Sequence, residues 1–206
     1  MIVPFILSFI MTISSSGLDR EVLWISLDER VVEHLRLSGS GGDIIADGLI
    51  IHLGPQQSFR LRYTIRCDSL WRFRMLKLQS LDEPQQLLEL RSDGAGNWEN
   101  ARGEAIPSLK GCQDIDIFYS PFTNTLAIRR MALKLRESGE TTVAFISVPD
   151  LTVNPVRQRY TLQQSGPDRS VYRYESLASG FKADLLVDTD GLVIEYPKFF
   201  RRAWSR

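Results

Sequence analysis

From Val22 onward the chain alternates apolar and polar residues in short runs broken by turn-forming residues, and this period of two constrains the fold more than any other feature. Side chains on a strand point alternately to its two faces, so every such run carries one apolar face that another part of the chain must cover. The clearest run is Phe59–Cys67, with Phe59, Leu61, Tyr63, Ile65 and Cys67 on one face and Arg60, Arg62, Thr64 and Arg66 on the other. Similar patterning predicts strands at Val22–Leu27, Val32–Leu37, Ile44–Leu53, Ser58–Cys67, Trp71–Gln79 and Leu87–Ser92. It predicts a second group at Asp114–Tyr119, Leu126–Leu135, Thr141–Val148, Arg157–Leu162, Val171–Ser176, Phe181–Val187 and Leu192–Tyr196. Stretches such as Ser92–Asn97, Glu137–Glu140 and Asp188–Gly191 supply the tight turns between them. A short helix near Leu81–Leu88 would be marginal, because Pro84 breaks its hydrogen bonding. So many strands with so little helix to cover them predict a mainly β single domain, a strongly curved sheet or an open β-barrel.

The 206 residues suit one domain at ~100–200 residues each. The apolar stretch Ile2–Ile13 falls short of the ~20 residues that cross a bilayer as a helix, so stable membrane insertion is not expected. Ser14, Ser15 and Ser16 follow it as in a secretory signal, yet no Lys or Arg precedes it. Residues 1–21 are therefore read as an apolar leader and lead-in, ahead of a domain at 22–206. Translation from Met11 would leave the protein in the cytoplasm, whereas a signal peptide at residues 1–16 would export it.

Lys plus Arg and Asp plus Glu each number 25, so bulk attraction to nucleic acid or anionic membrane is excluded and charged recognition must be local. Cys67 and Cys112 form no CxxC pair and read as buried thiols, with a single disulfide between them open to an exported protein. His34 and His52 sit in no metal-ligand or catalytic spacing. Gly39–Gly42 lacks the Lys of a phosphate loop, and there is no GxSxG. No catalytic residue, metal or cofactor is expected from motifs.

Three constellations remain. Asp114 and Asp116 alternate with Ile115 and Ile117, which puts both carboxylates on one strand face, where arginine pairing is the natural role; Asp68 joins the same polar network. Arg60, Arg62 and Arg66, then Arg72 and Arg74, make an arginine-rich wall on two neighbouring strands. That wall either faces solvent or grips an anionic head group through forked guanidinium contacts. The aromatics Trp24, Tyr63, Trp71, Trp98, Phe118, Tyr119, Phe122, Tyr160, Tyr172, Tyr174, Tyr196, Phe199 and Phe200 mostly build core, and a subset at a cavity mouth would give platforms for a sugar or for the junction of lipid chain and head group.

The stretch Asp114–Arg130, DIDIFYSPFTNTLAIRR, resembles the putative glycolipid-binding domain family of mostly bacterial proteins. So do Leu23-Trp24 with Glu33-His34-Leu35, Cys67-Asp68 with Trp71, the Asp93-Gly94 turn with Trp98, Gly111-Cys112, Gln158-Arg159-Tyr160, and Val187–Phe200 near the C-terminus. The likeness spans roughly Val22–Arg202, although the family usually has Pro where Ala127 stands and begins without an apolar leader. It implies a fold like the open barrels that carry lipoproteins in bacterial envelopes, with a cavity for a lipid-like molecule.

The expected function is non-enzymatic binding of a lipid or glycolipid amphiphile. Arg62, Trp71, Arg72, Trp98, Asn124, Arg129 and Arg130 are the candidate ligand contacts, and Asp68, Asp114 and Asp116 the structural network. On the Leu126–Leu135 strand, Arg129 and Arg130 would point to opposite faces, one pairing with Asp114 or Asp116 and the other free for solvent or ligand. The rivals are an enzyme that uses Asp68, Asp114 or Asp116 as acid or base on a small anionic or sugar-like substrate, and a structural module with a filled barrel.

Overall fold

The computed structural model describes residues 17–206, so the apolar leader lies outside the described residues. Fourteen strands form one sheet: β1 (Asp19–Ser26), β2 (Val31–Ser40), β3 (Asp43–Leu53), β4 (Ser58–Asp68), β5 (Phe73–Ser80), β6 (Leu87–Ser92), β7 (Trp98–Asn100), β8 (Asp114–Ile117), β9 (Ser138–Ser147), β10 (Thr152–Ser165), β11 (Arg169–Ser176), β12 (Lys182–Asp188), β13 (Val193–Tyr196) and β14 (Phe200–Ser205). One α-helix, α1 (Thr123–Met131), sits between β8 and β9.

The spatial order is β7-β6-β5-β4-β3-β2-β1-β14-β13-β12-β11-β10-β9-β8. Two meanders therefore lie side by side, joined where β1 pairs antiparallel with β14, and the chain passes from one outer edge, β7, straight to the other, β8. Laid flat, such a sheet would be roughly 60 Å across. The link from Asn100 to Asp114 reaches roughly 50 Å even when fully extended. It is in fact coiled, with a 3-10 turn at Pro107–Leu109, so the sheet must curve strongly to bring its edges together. Hydrogen bonds across the gap hold that curvature: Gly111 N–H donates to the Gly96 carbonyl at 2.8 Å, and the Trp98 indole N–H donates to the Cys112 carbonyl at 2.9 Å. The result is a half-barrel that does not close.

The alternation read from the sequence sets the two faces. On β4, Phe59, Leu61, Tyr63, Ile65 and Cys67 are buried on the concave side, and the arginines between them face outward. Cys67 and Cys112 are both buried free thiols. Strand β1 starts at Asp19, three residues ahead of the expected Val22. Two strands, β7 and β14, were not among those predicted by the alternating pattern; β7 has only three residues, and β14 carries Arg201 and Arg202 in its first half.

Two expectations are corrected. Leu81–Gln86 is an irregular turn between β5 and β6 rather than a helix. Leu126–Leu135 is not a strand: its first six residues lie in α1. The reason is topological, since β8 and β9 pair in parallel, and a parallel pair needs a long crossover, usually helical. Residues Thr123–Ile128 are buried around the whole helix circumference, which marks it as a plug inside the concave side rather than a surface helix.

Candidate functional site

Helix α1 is held by its polar side chains as much as by its apolar ones. Thr123 donates to Asp116 on β8 at 2.9 Å, the Tyr160 hydroxyl on β10 donates to Asn124 Oδ1 at 3.0 Å, and Thr125 donates to the Gly191 carbonyl at 2.9 Å. Its last turn adds Arg130, whose guanidinium forks onto the fully buried Asp114 at 2.8 and 2.6 Å. Sequence reading expected one of Arg129 and Arg130 to meet Asp114 or Asp116, and Arg130 does so from a helix instead of a strand.

The turn before the helix is fixed by Glu33 of β2. Glu33 projects into the concave side and is wholly buried. It accepts hydrogen bonds from the Tyr63 hydroxyl at 2.6 Å, the Ser120 hydroxyl at 2.5 Å and the Phe122 backbone N–H at 3.3 Å. Tyr63 lies on β4, two strands away, and crosses the intervening β3 at Gly48, where a Cβ would stand 2.0 Å from the ring. Burial raises the Glu33 carboxyl to about 7, against the opposing pull of these hydrogen bonds.

With the helix lodged across the concave side, a cavity opens at each end of the half-barrel. The first, about 630 Å3, lies beside the start of α1. Its walls are aromatic: Phe118 and Tyr119 sit with ring centres 4.3 Å apart, and Phe199 packs edge-on against Phe181 and Tyr196 at 5.4 and 5.2 Å. Its floor is polar. Asp116 accepts from Thr123 at 2.9 Å and from the Gln158 amide at 2.6 Å, and that amide also reaches the Tyr174 hydroxyl at 3.2 Å. Burial raises the Asp116 carboxyl above its ordinary value, with the Thr123 and Gln158 hydrogen bonds opposing. Tyr119 and Lys198, both on this wall, take left-handed backbone angles of 73° and 71°, conformations that cluster where structure is held for function.

The second cavity, about 1010 Å3, opens beside the other end of α1 and is bounded by Trp71, Arg72, Arg129, Arg130, Tyr172 and the Asp188–Gly191 turn. The sequence candidates thus divide. Asn124 borders the aromatic cavity, whereas Trp71, Arg72, Arg129 and Arg130 border the second one. Trp98 is buried against Phe73 at 4.9 Å and lines neither. Arg62 stands on the exposed outer face, paired with Asp47 at 2.8 Å, as Arg60 is with Asp82 and Arg66 with Asp43. Asp68 anchors Arg72 and Arg74 at 2.7 and 2.9 Å.

Sequence reading missed Glu33, Tyr63, Gln158 and Phe181 as residues of these sites. A signal existed for Glu33, which shares the strand face of Val31, Leu35 and Leu37 and is therefore a charge placed on an apolar face. Among the described residues no group of three or more His, Cys, Asp or Glu is placed to hold a metal ion, and no helix is long and apolar enough to cross a membrane.

Comparison with known proteins bears on the same residues. No curated protein matches the chain. A crystal structure of a DUF1089 family protein from Pseudomonas aeruginosa is similar, with 37% sequence identity and a TM-score of 0.76, over 84% of this chain and 92% of that one. The family described as "Putative glycolipid-binding" matches residues 21–202, a span that takes in the residues lining both cavities except Gly17 and Leu18, and the chain belongs to that family.

Proposed function

We propose that the protein binds a lipid-like or glycolipid amphiphile without transforming it, in the aromatic cavity at the N-terminal end of α1. The carrying observation is the pairing of aromatic walls with a hydrogen-bonded polar floor in a space of about 630 Å3, within the range of small-molecule sites. Phe118, Phe181 and Phe199 would cover the apolar part of the ligand. Asn124, Asp116 and Tyr174, which line that cavity with polar atoms, would meet hydroxyl groups. The family's description agrees with this ligand class.

Native mass spectrometry with lipid extraction, on protein purified gently from a bacterial host, tests the reading. A stoichiometric amphiphile in the wild type and its loss in Phe181→Ala are expected. Protein that carries none, and takes none from a total lipid extract, refutes it.

One observation favours a second reading, an enzyme acting on a sugar-like substrate: the raised carboxyl of Asp116 lies in the cleft, as a general acid would. Both Asp116 oxygens, however, already accept hydrogen bonds from Thr123 and Gln158, which suits an orienting group better than a proton donor. Chemical change of the extracted ligand on incubation with wild type but not with Asp116→Asn would decide for the enzyme.

A further inference from the structure

We propose that the cavity at the opposite end of the half-barrel binds an organic oxyanion, with the Arg129 guanidinium as its cationic partner. The inference stands apart from the aromatic cavity and does not require a lipid there.

The charged groups around this cavity are paired off, with one exception. Asp188 meets Arg202 at 2.8 Å and Arg20 at 3.3 Å, Asp190 meets Arg20, Arg130 meets Asp114 at 2.6 Å, and Arg72 meets Asp68 at 2.7 Å. Among the described residues Arg129 has no carboxylate in salt-bridge range; its polar contact is the Thr189 carbonyl at 3.3 Å. An arginine in the last turn of a helix commonly compensates the helix dipole. Arg129 instead reaches away from its helix to the turn between β12 and β13.

Its position is fixed rather than loose. The guanidinium carbon lies 5.3 Å from the ring centre of Trp71, a cation–π distance. Trp71 itself is held at a left-handed φ of 61° by its N–H bond to the Asp68 carbonyl at 2.9 Å. On the other side Gly191 has no side chain to obstruct Arg129, and a Cβ there would come within 3.1 Å of its methylenes. A guanidinium has five N–H donors, and one carbonyl contact leaves a fork free for two oxygens of a phosphate or carboxylate. Ser69, Ser170 and Tyr172, each with a hydroxyl, line the same cavity. A volume of about 1010 Å3 exceeds what a bare inorganic ion fills, so the oxyanion is expected on a larger molecule, a soluble ester or a lipid head group.

Titrating the full chain with hexyl phosphate below its micelle concentration, by calorimetry and by following the Trp71 indole N–H in NMR, tests the proposal. Hexyl phosphate is expected to saturate and to shift the Trp71 signal, while hexyl glucoside does not. Arg129→Ala should weaken hexyl phosphate by at least ~10-fold, the range of a charge-assisted hydrogen bond. Arg129→Lys, which keeps the charge without the fork, should fall between, and Arg36→Ala on the exposed face of β2 should match wild type. Competition by inorganic phosphate would assign the site to small phosphate esters; hexyl phosphate bound more weakly than its longer-chain homologues, without such competition, would assign it to a lipid head group. Absence of a Trp71 shift in wild type, or equal affinity in a folded Arg129→Ala, overturns the proposal.

Discussion

Glu33→Gln removes a buried titratable group and keeps the shape of the side chain. In the fold the Glu33 carboxyl is raised to about 7, whereas in the unfolded chain it has its ordinary value of 4.5. Between these values the folded protein holds a proton that the unfolded chain has released. Stability therefore falls as pH rises through that window, and the loss is complete once pH passes the folded value. The gap corresponds to roughly 3 kcal/mol. Below the window the neutral acid donates and accepts within the cluster, and the amide, with an NH2 directed at groups that now donate, should be less stable by about 1–3 kcal/mol. Above it the wild type carries an ionised, desolvated carboxylate, so the Glu33→Gln variant should recover most of its disadvantage or overtake. Asp116 is raised as well, but it is present in both proteins and cancels in their difference. Urea denaturation of both proteins from about pH 4.5 to about pH 8 yields that difference directly. A rise of roughly 3 kcal/mol in favour of the variant across the window is expected; a flat difference refutes the assignment of a raised carboxyl to Glu33. Glu33→Ala removes the same titration, so its difference from wild type should move by the same amount across the window but from a deeper start, a loss of roughly 3–5 kcal/mol below it, because Tyr63, Ser120 and Phe122 lose their shared acceptor and a cavity opens.

Three further substitutions probe the frame. Arg130→Ala strands the fully buried Asp114 and should cost roughly 3–5 kcal/mol in denaturant unfolding, with Asp114→Ala added on top costing far less than its single effect; additive losses would deny the pairing. Gly48→Ala puts a methyl 2.0 Å from the Tyr63 ring and should destabilise by at least 1–3 kcal/mol, but much less in a Tyr63→Ala background, and equal losses in both would place the strain elsewhere. Arg62→Ala, on the exposed outer face, should leave the melting temperature unchanged within error, and a clear fall would mean that its pairing with Asp47 matters to the fold.

The alternation on β4 was legible because strand geometry ties facing to sequence parity, and the structure buries Phe59, Leu61, Tyr63, Ile65 and Cys67 accordingly. Asp114 and Asp116 were legible as a same-face pair for the same reason, and one of Arg129 and Arg130 as a partner, though from an alternation on a strand where the structure has α1; which of the two pairs was not legible. What was not legible depends on contacts between distant strands. Tyr63 reads as a core tyrosine until β3 lies between it and Glu33 with Gly48 at the crossing point. The helix was misread because Leu126, Ile128 and the residues around them fit a strand as well as a helix, and only the parallel pairing of β8 with β9 decides between them. That pairing depends on which edge the chain reaches after β7, and no local period encodes it.

The helix also accounts for why the candidate contacts expected at one ligand site lie in two places, Asn124 in one cavity and Trp71, Arg72, Arg129 and Arg130 in the other. A half-barrel bridged across its gap by the link at residues 101–113 has one continuous concave side. A helix buried around its whole circumference divides that side, and a nine-residue helix is only roughly 14 Å long, too short to fill it to both ends. Its first turn faces the aromatic cavity with Asn124, and its last faces the other with Arg129 and Arg130. Because the plug is fixed by hydrogen bonds from Thr123, Asn124, Thr125 and Arg130 to separate parts of the sheet, sliding toward either end would leave several buried polar groups unpaired at about 1–3 kcal/mol each. A ligand in one cavity therefore meets a rigid floor, and the two ends are free to recognise different chemistry.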